Sequence, residues 1–154
     1  MQVLIKKEYW YINCKQYHNN NKIQTKEIGG VNMFNDIFID VLGHDGVVSI
    51  TTWADNSVHV SNTWNKYLQI VDNKILIPAA WLHKTEKNIK INNQVIITLG
   101  SPDVQGKIGM GTGFVVEGTA TFLDSGKEYD MMKEKFPFLT RVLEITPKNI
   151  RQTI

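Results

Sequence analysis

The sequence predicts a mainly β protein with a few short helices, folded as an antiparallel barrel of about six short strands. Three observations carry that prediction. Short runs rich in β-branched and aromatic residues recur from Gly46 onward, each bounded by turn-forming Asp, Asn, Ser or Gly. The connections between those runs are tight, and closing such strands into a barrel removes exposed sheet edges. Helical periodicity, by contrast, is confined to a few brief stretches.

The elements follow in chain order. Phe34, Ile37, Phe38, Val41 and Leu42 recur at i, i+3, i+4, i+7 and i+8, an amphipathic helical stripe, with Gly43 placed as its C-cap. Gly46 to Trp53 (GVVSITTW) is a strand that ends at the turn Ala54-Asp55-Asn56-Ser57. Val58 and Val60 alternate with His59 and Ser61, the period of a half-buried strand. Tyr67 to Val71 leads through Asp72-Asn73-Lys74 into Ile75-Leu76-Ile77-Pro78, and His83 to Ile91 makes two helical turns. Gln94 to Leu99 and Phe114 to Phe122 are further strands, and Arg141 to Thr146 is the last. Between them, Ser125 is a good N-cap for a helix over residues 126–135, which Pro137 would end.

The first 30 residues read differently. Ile5 to Cys14 has strand character, whereas Asn19-Asn20-Asn21 and Gly29-Gly30 mark a polar, turn-rich stretch. A hairpin arm and a loosely attached extension both account for it.

Composition narrows the function. The chain of 154 residues is long enough for one domain with a single core, and its 42% apolar and 21% charged residues are ordinary for a globular protein. A net charge of +2 with scattered lysines leaves no basic stripe, so nucleic acid is not the expected partner. Cys14 is the only cysteine, which rules out an intrachain disulfide or a cysteine metal cluster and suits a reducing cytoplasm. No apolar run approaches the roughly 20 residues of a membrane helix, and the segment from Met1 to Gln16 lacks a signal-peptide core. The expectation is a cytoplasmic protein with no membrane partner.

Three segments carry candidate chemistry. Ser61-Asn62-Thr63-Trp64-Asn65-Lys66-Tyr67 gathers amides, hydroxyls and two large rings between strands, a set able to converge on one ligand. A strand with two core aromatics and a polar bulge explains the same letters. Trp81-Leu82-His83-Lys84-Thr85-Glu86 opens a helix, whose N-terminus offers unpaired amides and partial positive charge. Lys84 adds a full charge and Thr85 a hydroxyl, the requirements of a terminal phosphate monoester. The simpler account makes Thr85 a cap and leaves Lys84 and Lys87 to solvent. Gly109-Met110-Gly111-Thr112-Gly113 looks like a phosphate loop, but a strand follows it rather than a helix, so a hairpin turn or bulge is the better reading. The four histidines show no metal-ligand spacing, and no carboxylates form a recognisable acid–base pair. Redox chemistry here would need a cofactor.

Four blocks together resemble a known family: Asn62-Thr63-Trp64-Asn65-x-Tyr67-Leu68, His83-Lys84-Thr85-Glu86-x-Asn88, Thr98-Leu99-Gly100-Ser101 and Gly111-Thr112-Gly113-Phe114. They stand in the order and near-matching spacing of the small FMN-binding proteins of the flavin split-barrel superfamily, relatives of the pyridoxamine-phosphate oxidases. The resemblance covers residues 33–154, about four-fifths of the chain. It implies a six-stranded antiparallel Greek-key split barrel that binds FMN near a homodimer interface. It implies further that Asn62, Thr63, Lys84 and Thr85 lie in the region holding the flavin phosphate, and that Trp64 and Tyr67 lie beside the ring. Phe138 aligns with a ring-side tryptophan of the family, a departure that keeps apolar contact but loses an indole. The oxidases proper end in an Arg- and His-bearing segment that grips substrate; this chain ends Lys148-Asn149-Ile150-Arg151-Gln152-Thr153-Ile154 and lacks it, so vitamin B6 oxidation is not implied.

The function implied is electron or hydride transfer through bound FMN to a redox partner the sequence does not name. The alternatives are an FMN-dependent oxidoreductase or flavin reductase using a nicotinamide cofactor, and a protein that stores or delivers FMN. A barrel this small leaves a planar flavin partly open, so a second subunit is expected to cover it. Trp81 is a candidate interface aromatic, although ordinary core packing accounts for it equally well. The family's chains begin where Met33 stands, so residues 1–32 are expected to lie outside the barrel and to touch no flavin. They read as an arm, as an upstream stretch from a mis-assigned start codon, or as an added strand carrying Tyr9-Trp10-Tyr11-Ile12.

Overall fold

The structure, a computed structural model, describes residues 33–154. The expectations for residues 1–32, the strand at Ile5 to Cys14 and the turn at Asn19-Asn20-Asn21 among them, lie outside the described residues.

The chain enters through helix α1 (Asp36–Gly43), whose first turn is capped by Asn35: its Oδ1 accepts from the Phe38 amide at 2.8 Å. Gly43 is the last helical residue and His44 the C-cap, in extended rather than left-handed conformation. The stripe read from the sequence is the buried one. Phe34, Phe38 and Val41 are enclosed, and the Phe38 ring lies 5.0 Å from both Phe34 and Phe114.

Strand β1 (Val47–Ala54) turns into β2 (Ser57–Trp64) at Asp55 and Asn56, which both take positive φ, the backbone of a tight two-residue hairpin. A single 3-10 turn (Asn65–Tyr67) then leads into β3 (Gln69–Val71), and Asp72 and Asn73 make a second positive-φ turn into β4 (Lys74–Ala79). Helix α2 (His83–Ile91) crosses to the long hairpin of β5 (Gln94–Gln105) and β6 (Met110–Leu123). Helix α3 (Lys127–Lys135) precedes β7 (Arg141–Gln152).

Among the described residues all strand pairs are antiparallel, in one sheet of order β2-β1-β5-β6-β7-β4-β3. Among the described residues no ladder joins the end strands β2 and β3, so the sheet is a split rather than a closed barrel. It has seven strands where about six were expected, the short Gln69–Val71 segment pairing with β4 in its own right. The β5–β6 hairpin is longer than its apolar runs. Its tip falls at Gly106, whose amide donates to the Gly109 carbonyl at 2.8 Å, so the glycine-rich Gly111 to Gly113 lies inside β6. Gly118 sits at a register shift against β7, where a Cβ would come 2.3 Å from the Thr146 carbonyl.

The core has two parts. The main cluster, with Val48, Ile50, Ile97, Phe114 and Val116, fills the inner face of the sheet beneath α1. A second one, Leu76, Met132, Phe136, Leu139 and Val142, packs α3 onto β4 and β7. Ser125 does not cap α3. Its hydroxyl bonds Asp124, and Gly126, at φ 99°, occupies the N-cap with no side-chain bond. Strand β2 alternates as its period of two requires. Val58 and Val60 face outward, 68% and 52% exposed, while His59, Ser61 and Thr63 take the covered side.

Candidate functional site

The period of two along β2 decides how its end is divided. Register places Thr63 opposite Val48 and Ser61 opposite Ile50, both fully buried core residues, so Ser61 and Thr63 share the inner face. Asn62 and Trp64 project from the other face, opposite Ser49 and Val47. Helix α2 lies against the inner side of this hairpin. Ser61 Oγ is 3.0 Å from Thr85 Oγ1, Asn88 Nδ2 donates to Thr52 Oγ1 at 3.2 Å, and Asn92 Nδ2 donates to the Trp53 carbonyl at 3.1 Å. Three contacts on successive turns fix both the height and the rotation of the helix.

That anchoring leaves the start of α2 chemically open. Leu82, the residue before it, offers no capping side chain, so the first-turn amides gain no side-chain acceptor there. Thr85 is fully buried and its hydroxyl is engaged with Ser61, whereas Lys84 is exposed and, among the described residues, has no hydrogen-bond or ion-pair partner. A pair of hydroxyls sharing one hydrogen bond keeps one hydrogen free to donate. The helix end therefore combines partial positive charge, a free ammonium and a spare hydroxyl donor, a seat for an anion.

Glu86 stands in the first turn of the same helix, where its charge would oppose an anion. It is not left bare. Arg141, at the start of β7, bonds the Glu86 carboxylate through Nη1, and Lys90 pairs with the other oxygen at 3.1 Å. The same guanidinium donates through Nη2 to the Trp81 carbonyl at 3.2 Å and to the Ala80 carbonyl at 3.5 Å, and it lies over the Phe122 ring at 5.2 Å.

The aromatic candidates divide in two. Tyr67 and Phe138 meet, ring centroids 5.6 Å apart, and both contact Phe136. Trp64 touches neither ring among the described residues; it stands on the outer face, 54% exposed, and Phe138 is 51% exposed. The loop that presents Phe138 is held by Lys133, whose Nζ donates to the carbonyls of Pro137 and Leu139. The structure thus brings Thr85 to Ser61, leaves Thr63 on the same face of β2 and Lys84 exposed at the helix start, places Asn62 and Trp64 on the other face, and groups Tyr67 with Phe138.

Sequence reasoning missed two residues of this neighbourhood. Asn65 is fully buried, and its Nδ2 reaches the carbonyls of Gly100 at 2.9 Å, Val41 at 3.1 Å and His44 at 3.3 Å. It ties the corner between Trp64 and Tyr67 to α1 and β5. The missing side chain of Gly46 makes room for it: a Cβ there would lie 2.4 Å from Asn65 Nδ2. Arg141 had no local signal, because its partner Glu86 is 55 residues away. Away from the site, the Lys74 ammonium is pushed above its ordinary value of 10.5, chiefly by its hydrogen bond to Glu144. No helix of the described residues is long and apolar enough to cross a membrane.

The family described as Pyridoxamine 5'-phosphate oxidase matches residues 38–154. The FMN-binding protein of Nitratidesulfovibrio vulgaris (strain DSM 19637 / Miyazaki F) is 40% identical over 118 residues, 76% of this chain and 96% of that protein. Among solved structures, HupZ of Group A Streptococcus superposes with a TM-score of 0.63 at 15% identity, over 78% of this chain and 94% of that one. An FMN-binding protein from Syntrophomonas wolfei subsp. wolfei gives 0.61 at 15% identity, over 100% of this chain and 97% of that one. At that identity the two structures speak to the fold alone.

Proposed function

The chain belongs to the pyridoxamine 5'-phosphate oxidase family, and on that premise we propose that it is an FMN-binding flavoprotein passing electrons or a hydride through its bound flavin. The observation that supports the reading is the start of α2, where the Ser61–Thr85 hydroxyl pair meets a helix end that has no side-chain cap and carries the exposed Lys84. Its chemistry fits a terminal phosphate monoester. Thr63, on the same face of β2 as Ser61, adds a hydroxyl on the phosphate side, while Asn62 and Trp64 on the opposite face and the Tyr67–Phe138 pair offer an amide and aromatic surface to the rest of the flavin. Bound FMN would supply the redox chemistry; the protein's own residues anchor the phosphate, cover the ring and set which faces solvent reaches. The single cysteine supports a cytoplasmic setting.

A homodimer belongs to this reading. Val47, Val58, Val60 and Trp64 form an exposed apolar strip on the outer face of the β1–β2 hairpin, and a second copy laid against it would also enclose a flavin at Trp64. Trp81, strongly exposed just before α2, extends the surface available to the partner.

Stopped-flow reduction separates the roles. A carrier is not reduced rapidly by NADH or NADPH but exchanges electrons with a protein redox partner. Rapid bleaching by a nicotinamide makes the protein an FMN-dependent reductase, and failure to reduce and reoxidise with any protein makes it a store. A preparation that is colourless and takes up no added FMN overturns the reading entirely.

A further inference from the structure

We infer that Arg141 is a positioning residue for the flavin phosphate: by neutralising Glu86 it removes the one carboxylate of the helix start that opposes a dianion there. The inference rests on the phosphate seat proposed above.

A carboxylate in the first turn of a helix favours the positive end of its dipole, but it competes with any anionic ligand for that same end. Glu86 lies one residue beyond Thr85, and its side chain is largely enclosed, so water screens it poorly. Left bare, it would repel a phosphate monoester at Lys84 and Thr85. Lys90 alone is a weak shield, since its ammonium is well exposed and held at the outer end of a long stem. Arg141 is built differently. Its guanidinium is enclosed, spread over the Phe122 ring, and forked between the Glu86 carboxylate and the carbonyls of Ala80 and Trp81. One group therefore cancels the opposing charge and also fixes the segment that delivers the first amides of α2. Because β7 supplies the arginine, the helix start is tied to the sheet independently of the Ser61–Thr85 and Asn88–Thr52 contacts from below.

The test is a titration of FMN and riboflavin into flavin-free full-length protein, wild type and variants, with the thermal midpoint of each recorded. R141Q keeps an amide to bond the Ala80 and Trp81 carbonyls while losing the charge, so it protects the fold. It is expected to weaken FMN about tenfold, the equivalent of about 1.4 kcal/mol, and to leave riboflavin within about twofold. E86Q added to R141Q should restore FMN to within about threefold of wild type, since the charge being masked is gone. R141K, which keeps the cation, should retain most of the preference for FMN. Equal losses for both flavins in R141Q, or no recovery in the double variant, overturn the inference and leave the phosphate seat standing. A wild-type protein that binds FMN no better than riboflavin overturns the phosphate seat itself, and this inference with it.

Discussion

Asn65 offers the sharpest stability prediction. Its amide nitrogen carries two hydrogens and faces three carbonyls, those of Val41, His44 and Gly100, at 3.1, 3.3 and 2.9 Å. Its Oδ1 is buried with no hydrogen-bond partner among the described residues. Asn65→Leu keeps the volume but strands the buried acceptors, each costing about 1–3 kcal/mol, while it also removes the unpaired Oδ1 and recovers a similar single term. The net expectation is a loss of about 2 kcal/mol, or about 6–8 °C in thermal midpoint for a domain of this size. Asn65→Asp is closer in shape and should be worse, because an acceptor then faces three acceptors in a buried site, a loss above about 3 kcal/mol. The deficit of N65D should shrink in acid, where protonation returns a donor. Urea denaturation of both variants, followed by far-UV circular dichroism, measures the ranking. N65D more stable than N65L at neutral pH, or N65L indistinguishable from wild type, would refute the reasoning.

Three further outcomes are expected. Val60→Lys puts a charge on the apolar strip of β2 and should convert a dimer to a monomer by light scattering without lowering the thermal midpoint of the monomer; a dimer that persists places the interface elsewhere. Expressing the chain from Met33 should leave flavin content and midpoint nearly unchanged, because the family match begins only at residue 38; a drop of about 5 °C or more would make residues 1–32 structural. Lys74→Met should cost about 1 kcal/mol or less, since the Lys74–Glu144 pair is partly exposed. A raised lysine pKa stabilises below its unfolded value and is lost as pH climbs through the folded one, so this deficit should hold up to pH 10.5 and narrow only above it.

What the sequence made legible was whatever local chemistry decides. The bounds of α2, the turns at Asp55-Asn56 and Asp72-Asn73, and the apolar stripe of α1 all follow from propensity and spacing over a few residues. The direction of β2 did not. Alternation gives the period of a strand but not which face is inward, and here α2 supplies polar partners for Ser61 within the barrel while the valines face out. Ser125 looked like a cap because its neighbours were helical, yet the chain uses Gly126 with positive φ to enter α3 instead. At the site, Lys84, Thr85 and the β2 segment were visible as motifs. The grip of Arg141 on Glu86 and of Asn65 on three distant carbonyls exists only once β7, α1 and β5 are folded beside them.

The most direct test of the central claim is a side-by-side calorimetric titration of FMN and riboflavin into the flavin-free protein, repeated with Lys84→Ala. One charge-assisted contact is worth about 1.5–3 kcal/mol, so FMN should bind at least about tenfold more tightly than riboflavin, and the substitution should remove about that factor for FMN alone. Equal affinity for the two flavins, or equal losses in K84A, would show that no phosphate is held at the start of α2.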